Sequence, residues 1–174
     1  MATSTSRSAI ATASGKPAMS AEIHTLLQRI SGTSPVDVMA VRLMVEPHAA
    51  AQAAASATSA ELEAIRNCHD RAAAEADPNE FEKRDAEFHA QIFLATRNEL
   101  LVSLHDILRV IRNQPSWVEI KRRSASDARR RAYCEEHDQI VRALLDHDPD
   151  AAAQAMRAHL LTVNQNLFGG TGLV

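Results

Sequence analysis

The sequence points to metal binding by a few polar side chains that interrupt apolar helical patterns. Asp85 and His89 are four residues apart in an otherwise apolar pattern, and residues four apart on a helix are neighbours. His137 and His159 hold equivalent positions in two later apolar patterns. Neutral imidazoles and a carboxylate are common ligands of divalent metals. The four residues therefore predict a single metal site to which three helices contribute.

Each of these histidines taken alone is more typical of a hydrogen-bonded core residue than of a metal ligand. Burying three imidazoles and a carboxylate without partners, however, costs several kcal/mol, and a divalent ion would remove that cost. Zinc, nickel, iron and manganese all suit this donor set, and zinc is favoured. The sequence predicts surface positions or local hydrogen bonds for the other histidines, which are His24, His48, His69, His105 and His147.

A charged pair on the first predicted helix has two interpretations. Arg42 and Glu46 are four residues apart, which is the spacing of an intrahelical ion pair. Alternatively, Arg42 extends into the interior as a fixed cation, because a guanidinium group can bind a carboxylate through two parallel hydrogen bonds. In that case Arg42 and the metal would hold a small anion between them. The sequence leaves both interpretations open.

Successive amphipathic helices have to position these residues, because apolar residues recur three and four positions apart from Val36 to about Phe168. Pro47 lies inside the first helix and is expected to kink it. No alternating strand pattern competes, so the predicted fold is an all-α, antiparallel bundle of about six helices. Helix boundaries are expected where capping residues, proline or asparagine interrupt the pattern, at Thr58-Ser59, Asp77-Pro78, Arg97-Asn98, Gln114-Pro115 and Asp148-Pro149.

The ends of the chain differ from this helical region. Residues 1–20 are small, polar and aperiodic, and they are expected to form a disordered tail. A short helix or connector is expected over residues 21–35. The bundle is expected to occupy residues 36–168, and residues 169–174 are expected to form a second tail.

Composition limits the class of protein. The 174 residues are 45% hydrophobic and 3% aromatic, with a formal net charge of −3, and this length suits one cored domain. No apolar run reaches the length of a membrane-spanning helix or a secretion signal, so a soluble, cytoplasmic protein without a membrane partner is expected. The negative charge disfavours DNA binding by this chain alone. The basic runs at residues 121–123 and 129–131 are accordingly expected to be a solvated helix connector.

Several segments resemble the FCD ligand-binding domain, the effector-sensing half of FadR-subfamily GntR transcription regulators. These segments are Arg42-Leu43-Met44-Val45-Glu46-Pro47, Asp85-Ala86-Glu87-Phe88-His89, Asn98-x-Leu100-Leu101, Glu136-His137-x-x-Ile140 and Met156-x-x-His159-Leu160. The resemblance implies that the aspartate and three histidines named above are metal ligands, and that Arg42 and Asn98 contact the effector. It also implies a homodimeric helical bundle in which a small carboxylate effector binds against the metal.

Members of that family carry an N-terminal winged helix-turn-helix that binds the major groove of DNA. Three helices and a wing do not fit into residues 1–35, so DNA contact is expected only through a domain that this chain lacks. The chain is then a domain separated from a parent repressor, or a stand-alone sensor, and in neither case an enzyme. Two other functions remain open: a small metalloenzyme that activates water, with Glu46 and Glu87 as the nearest candidate bases, and a metal-free helical dimerisation module.

Overall fold

The computed structural model describes residue 25, residues 28–30 and residues 32–169. The chain divides into two units, Met1–Gly32 and Thr33–Val174. In the first unit, residues 28–30 are helical, and the backbone N–H of Gly32 donates to the carbonyls of Gln28 and Arg29. The tail expected at residues 1–20, and all but the first residue of the tail expected at residues 169–174, lie outside the described residues.

The described residues of the second unit form seven α-helices and no strand, which confirms the predicted all-α fold. In chain order the helices are α1 (Pro35–Ser56), α2 (Ser59–Ala73), α3 (Pro78–Ala95), α4 (Glu99–Arg112), α5 (Pro115–Ser124), α6 (Asp127–Leu145) and α7 (Pro149–Phe168). The helix that the expected count omits is α5, which follows Gln114 where the sequence predicted only a break. Trp117 is the one buried residue of α5, so this helix lacks the apolar repeat by which a sequence reveals a helix. Within the described part of the chain, the structure contains no helix long and apolar enough to cross a membrane.

Hydrogen bonds in the short connections set where the helices begin and end. The side chain of Thr58 accepts from the backbone N–H of Glu61, whose carboxylate accepts in return from the N–H of Thr58. Asp77 and Asp148 cap α3 and α7, and a proline follows each of them. At the other end of α7, Gly169 has a φ of 66°, a left-handed conformation that glycine adopts without strain. These boundaries are therefore local features of the sequence.

The first and last helices of the bundle pack along each other, and α1 continues through Pro47 as one helix. Ala49, Ala50, Ala53 and Ala54 of α1 are fully buried, and such small side chains allow two helices to approach closely. α2 packs against α3 and α6, and α6 packs against α7. Buried residues of α3, α6 and α7 consequently share one interior.

Candidate metal centre

The four residues predicted to bind a metal meet inside the bundle. Asp85 and His89 lie one turn apart on α3, His137 lies on α6, and His159 lies on α7. All four are buried, and one donor atom of each lies within 4.8 Å of the donor atoms of the others. The structure thus brings together the residues that the spacing of polar positions selects.

The donor atoms face one another at separations that suit a shared ion. Nε2 of His137 is 3.2 Å from Nε2 of His159 and 3.6 Å from Oδ1 of Asp85. Nε2 of His89 is 4.0 Å from the same carboxylate oxygen. Ligand atoms about 2.0–2.2 Å from a tetrahedral zinc ion lie about 3.3–3.6 Å from one another. The two separations that involve His137 are close to that range, and all the donor atoms lie within 4.8 Å of one another.

The outer nitrogens of two of these histidines contact carboxylates. Nδ1 of His89 lies 2.7 Å from Oε2 of Glu46, and Nδ1 of His159 is hydrogen-bonded to Oε2 of Glu136 at 2.8 Å. A carboxylate that receives the Nδ1 proton fixes the tautomer in which Nε2 offers its lone pair. The hydrogen bond to Glu136 therefore orients the ring of His159 to donate toward the centre of the cluster, whereas Glu46 makes a close contact with His89 that lacks hydrogen-bond geometry.

Burial keeps the imidazoles of His137 and His159 uncharged. It lowers the pKa of His159 to about 3 and that of His137 well below its ordinary value, and neighbouring histidines add to both shifts. Burial alone would raise the pKa of Asp85, but attraction to His89 and Arg112 outweighs it, so the pKa lies below its ordinary value. The site thus combines the neutral imidazoles of His137 and His159 with the ionised carboxylate of Asp85.

An orphaned nitrogen tests whether this donor set fits a metal. Nε2 of His89 is buried and has no hydrogen-bond partner among the residues that the structure describes. A buried polar atom without a partner is costly, and a divalent ion would accept its lone pair. Three imidazole nitrogens and one carboxylate oxygen are also a chemically suitable ligand set for such an ion. The residues present therefore fit a divalent metal.

Arg42 and Glu46 form the ion pair that their spacing predicts, and both side chains are buried. Nε and Nη2 of Arg42 donate to the two carboxylate oxygens of Glu46 at 2.5 and 3.3 Å. Burial alone would raise the pKa of Glu46, but Arg42 and His89 hold it well below its ordinary value. A charged Glu46 therefore connects the guanidinium group to a ring of the cluster.

Asn98, the other residue predicted to contact an effector, lies apart from the cluster. It is exposed at the start of α4, where its side-chain oxygen accepts from the backbone N–H groups of Leu100 and Leu101. It does not line the cavity that the described residues form beside the cluster. The position of Asn98 is explained by helix capping, and its contact with an effector stays a prediction.

Two histidines expected at the surface or in local hydrogen bonds are instead buried, so the prediction for them was wrong. His69 on α2 is 8% exposed, and His105 on α4 is 4% exposed. His69 lies four residues after Ile65 and His105 three residues before Leu108, and both of those apolar residues are buried. The same spacing rule that selected the clustered histidines therefore also applied to these two.

The remaining histidines hydrogen-bond to backbone carbonyls or lie outside the described residues. Nδ1 of His48 is 2.9 Å from the carbonyl oxygen of Met44. Nδ1 of His147 is 2.8 Å from that of Ala54. Both residues are exposed, as the sequence predicted. His24 lies outside the described residues.

Three residues beside the cluster were not predicted. Glu136 supports His159, as described above. Nη2 of Arg112 is 3.6 Å from Oδ2 of Asp85, and Trp117 is 1% exposed beside the cluster. Arg112 lies four residues after the buried Leu108, so the spacing could have identified it as an inward-facing cation. No comparable pattern exists around Trp117.

A small cavity adjoins the cluster and meets an open groove. The cavity has a volume of about 30 Å³ and is lined by Arg42, Asp85, Arg112, Trp117, Tyr133 and His159, among others. The groove has a volume of about 750 Å³, and five residues line both spaces: Glu82, Arg112, Lys121, Ser124 and Tyr133. Nζ of Lys121 lies 2.7 Å from Oε2 of Glu82. An ion pair between α5 and α3 is therefore present where the two spaces meet.

The basic runs near this groove differ in their surroundings. Arg122 and Arg123 are exposed and pair with Glu119, as expected for a solvated connector. Nη1 of Arg130, in contrast, donates to the carbonyl of Glu75, and Lys121 is only 18% exposed at its side chain. Part of the basic segment thus supports the fold.

The chain resembles known transcriptional regulators. It is 31% identical over 138 residues to the Uxu operon transcriptional regulator of Escherichia coli strain K12, covering 77% of this chain and 54% of that protein. It is 30% identical over 138 residues to the Exu regulon transcriptional regulator of the same strain, covering 79% and 53%. The chain thus spans about half the length of these curated relatives.

Structural and family comparisons point the same way. The solved structure of Streptococcus agalactiae GntR has the same fold, with a TM-score of 0.59 and 22% sequence identity, and the match covers 80% of this chain and 60% of that one. The FCD domain family matches residues 37–162, which include all four clustered metal-ligand candidates. Since this match extends over most of the chain, the protein belongs to the FCD domain family.

Proposed function

We propose that the chain is a metal-dependent domain that senses a small carboxylate effector for a GntR-type transcription regulator of the FadR subfamily. The observation that carries this proposal is the convergence of Asp85, His89, His137 and His159 at one buried position. Membership of the FCD family and similarity to proteins named as transcriptional regulators support it. In this proposal, DNA contact is made by a winged helix-turn-helix domain outside these 174 residues.

Zinc is the ion that we expect at the site. The nitrogens of His89, His137 and His159 and a carboxylate oxygen of Asp85 would hold it. A bound divalent ion supplies a positive centre to which an anionic oxygen can bind. Glu46 and Glu136 hold two of the imidazole rings from outside, which is how ligand orientation is commonly maintained in metal sites.

A carboxylate fits the cavity that adjoins the cluster, because Arg42 and Arg112 line it and arginine binds carboxylates well. An effector in this cavity would also approach the Lys121–Glu82 ion pair that joins α5 to α3. Sensing then requires that the effector bind one packing arrangement of these helices more tightly than another.

Binding without turnover is the function that the surrounding carboxylates favour. A metal-activated water needs a nearby base to take its proton. Glu46 has a strongly lowered pKa because of Arg42 and His89, so it is a poor base. Glu87 is partly exposed and pairs with Arg71. Both candidate bases named from the sequence therefore have other roles.

We also propose that the chain pairs with a second copy through α4. Leu100, Ile107 and Val110 are 78%, 39% and 57% exposed, and they lie toward one side of this helix. Clustered apolar side chains at a surface commonly mark a protein contact. A homodimer would cover them.

Metal analysis of the purified protein tests the central proposal. Mass spectrometry of the native protein is expected to detect one divalent ion per chain, which is lost in the variants His137→Ala and His159→Ala because each removes a ligand. The matched control is His147→Ala, which removes an exposed histidine that bonds only to a backbone carbonyl. Retention of the ion by both cluster variants would rule out the proposed ligand set, and a native protein that binds no added zinc would rule out metal dependence.

A further inference from the structure

Two buried hydrogen-bond donors at the small cavity have no partner in the part of the chain that the structure describes. They are Nε of Arg112 and Nε1 of Trp117. Their residues are 7% and 1% exposed, and both line the cavity of about 30 Å³ beside the cluster. Leaving a buried donor unpaired is costly. Two such donors at one cavity indicate that an acceptor belongs there.

The two arginines at this cavity differ in whether their side-chain N–H groups have acceptors. Arg42 directs Nε and Nη2 to the carboxylate of Glu46. Among the described residues, Arg112 makes a longer contact, 3.6 Å from Nη2 to Oδ2 of Asp85, and its Nε has no hydrogen-bond partner. Burial lowers the pKa of Arg112, and the positive charge of Arg42 adds to this shift. An anion close to Arg112 would stabilise its charge against burial and against the repulsion from Arg42. Arg42 already has such an anion, the carboxylate of Glu46.

We propose that Arg112 and Trp117 bind the carboxylate group of the effector, with Nε–H of the arginine and Nε1–H of the tryptophan as the donors. This inference rests on the proposed function, because it names the residues by which the sensing site recognises its ligand. A guanidinium group and an indole N–H are both donors without an acceptor atom, so together they select an acceptor oxygen, and the charge of the guanidinium group favours an anionic one. Arg42 then acts through Glu46 and is a positioning residue for His89.

The cavity volume limits which part of the ligand lies inside. A space of about 30 Å³ has room for about one water molecule, and so for the head group of an organic acid but not for its body. The body would have to extend toward the groove of about 750 Å³ that shares Arg112 and Lys121 with the cavity. The ligand class that fits is therefore an organic acid whose carboxylate leads and whose remaining atoms lie near the Lys121–Glu82 pair.

Acetate is a suitable probe because it is little more than the head group, with acetamide as its uncharged counterpart. We expect zinc-loaded protein to bind acetate and not acetamide in a titration followed by NMR. The variants Arg112→Gln and Trp117→Phe each remove a donor, and each is expected to weaken acetate binding about tenfold or more while zinc content stays unchanged. Arg123→Gln is the matched control, because Arg123 is exposed and paired with Glu119, and it is expected to leave acetate binding unchanged.

The outcomes separate this inference from the function on which it rests. If the native protein binds zinc but no acetate, carboxylate sensing fails and this assignment fails with it. If it binds acetate and both donor variants bind equally well, only the assignment fails, and water alone serves the two donors.

NMR of the native protein tests the assignment without any variant, so it remains informative if a variant does not fold. In the ¹⁵N-labelled, zinc-loaded chain, acetate is expected to shift the resonances of Arg112 Nε–H and Trp117 Nε1–H. Two unmoved resonances at saturating acetate would overturn the assignment.

Discussion

Two carboxylates outside the ligand set, Glu46 and Glu136, each contact one histidine of the cluster. Glu46 accepts two hydrogen bonds from Arg42 and also lies 2.7 Å from His89. Removing it would leave Arg42 as a buried cation without a partner, which is strongly destabilising. Glu136 makes the corresponding contact to His159 from a less buried position. Glu136 is therefore the better residue to replace when testing whether a carboxylate orients a metal-binding histidine.

The variant Glu136→Gln is expected to weaken zinc binding about 10- to 100-fold, because a neutral amide orients and polarises His159 less well than a carboxylate. Competition with a chromophoric chelator measures this affinity. Glu135→Gln is the control, since Glu135 is the exposed neighbour. Equal affinities in all three proteins would show that Glu136 does not support the site.

His105 is expected to make stability depend on pH. Burial lowers its pKa to about 4, so between about pH 6.5 and pH 4 the unfolded chain binds a proton that the folded chain does not. This group therefore stabilises the fold above about pH 6.5, and that contribution decreases as the pH falls toward 4. The slope attributable to one such group is at most about 1.4 kcal/mol per pH unit.

Denaturant unfolding of chelator-treated protein at several pH values measures this slope. His105→Leu is expected to reduce the slope, since leucine does not titrate, whereas His48→Leu removes an exposed histidine and should leave the slope as it was. A His105→Leu protein with the native slope would contradict the expectation.

Sequence spacing could identify the clustered residues because each of them interrupts an apolar helical face. Asp85 and His89 stand out for this reason, and Arg112 could have been identified in the same way. Trp117 could not, because it is apolar in type and an unpaired indole N–H becomes visible only when its neighbours are known. The sequence could not indicate that Asn98 caps α4 through hydrogen bonds to Leu100 and Leu101, and its contact with an effector stays a prediction.

At the scale of helices, the sequence predicted strongly periodic elements well and sparse ones poorly. The reciprocal hydrogen bonds between Thr58 and Glu61 cap the start of α2, where the sequence predicted a helix boundary. α1 contains Pro47 within a single helix, as the sequence predicted. α5 was missed because its contact with the bundle depends on one large side chain. Packing against the rest of the bundle determines such features, and local sequence does not contain it.

The alanine face of α1 is expected to tolerate no larger residue. Ala53→Leu places three extra carbon atoms at a fully buried position, and overpacking of this kind typically costs about 1–3 kcal/mol. Ala55→Leu, on the exposed side of the same helix, is the control and should have little effect. Denaturant unfolding gives both free energies, and equal stability of the two variants would show that the face is loosely packed.

At the scale of the whole molecule, the exposed apolar residues of α4 bear on how many copies assemble. If a second copy covers them, Ile107→Glu should raise the dissociation constant of the dimer at least about tenfold, because a charge buried in an apolar interface is unfavourable. Size-exclusion chromatography with light scattering measures this. Ser103→Glu adds the same charge at an exposed polar position of α4 and serves as a comparison. A native protein that is monomeric throughout would rule out the proposed dimer.

Trp117 has a consequence for how this protein can be observed. The chain contains one tryptophan, and that residue lies in the wall of the cavity next to the clustered donors. Its fluorescence therefore comes from one known place, without a background from other indoles. A change in emission on adding an ion or an organic acid would report directly on that interior space, so the protein carries its own optical reporter for whatever enters.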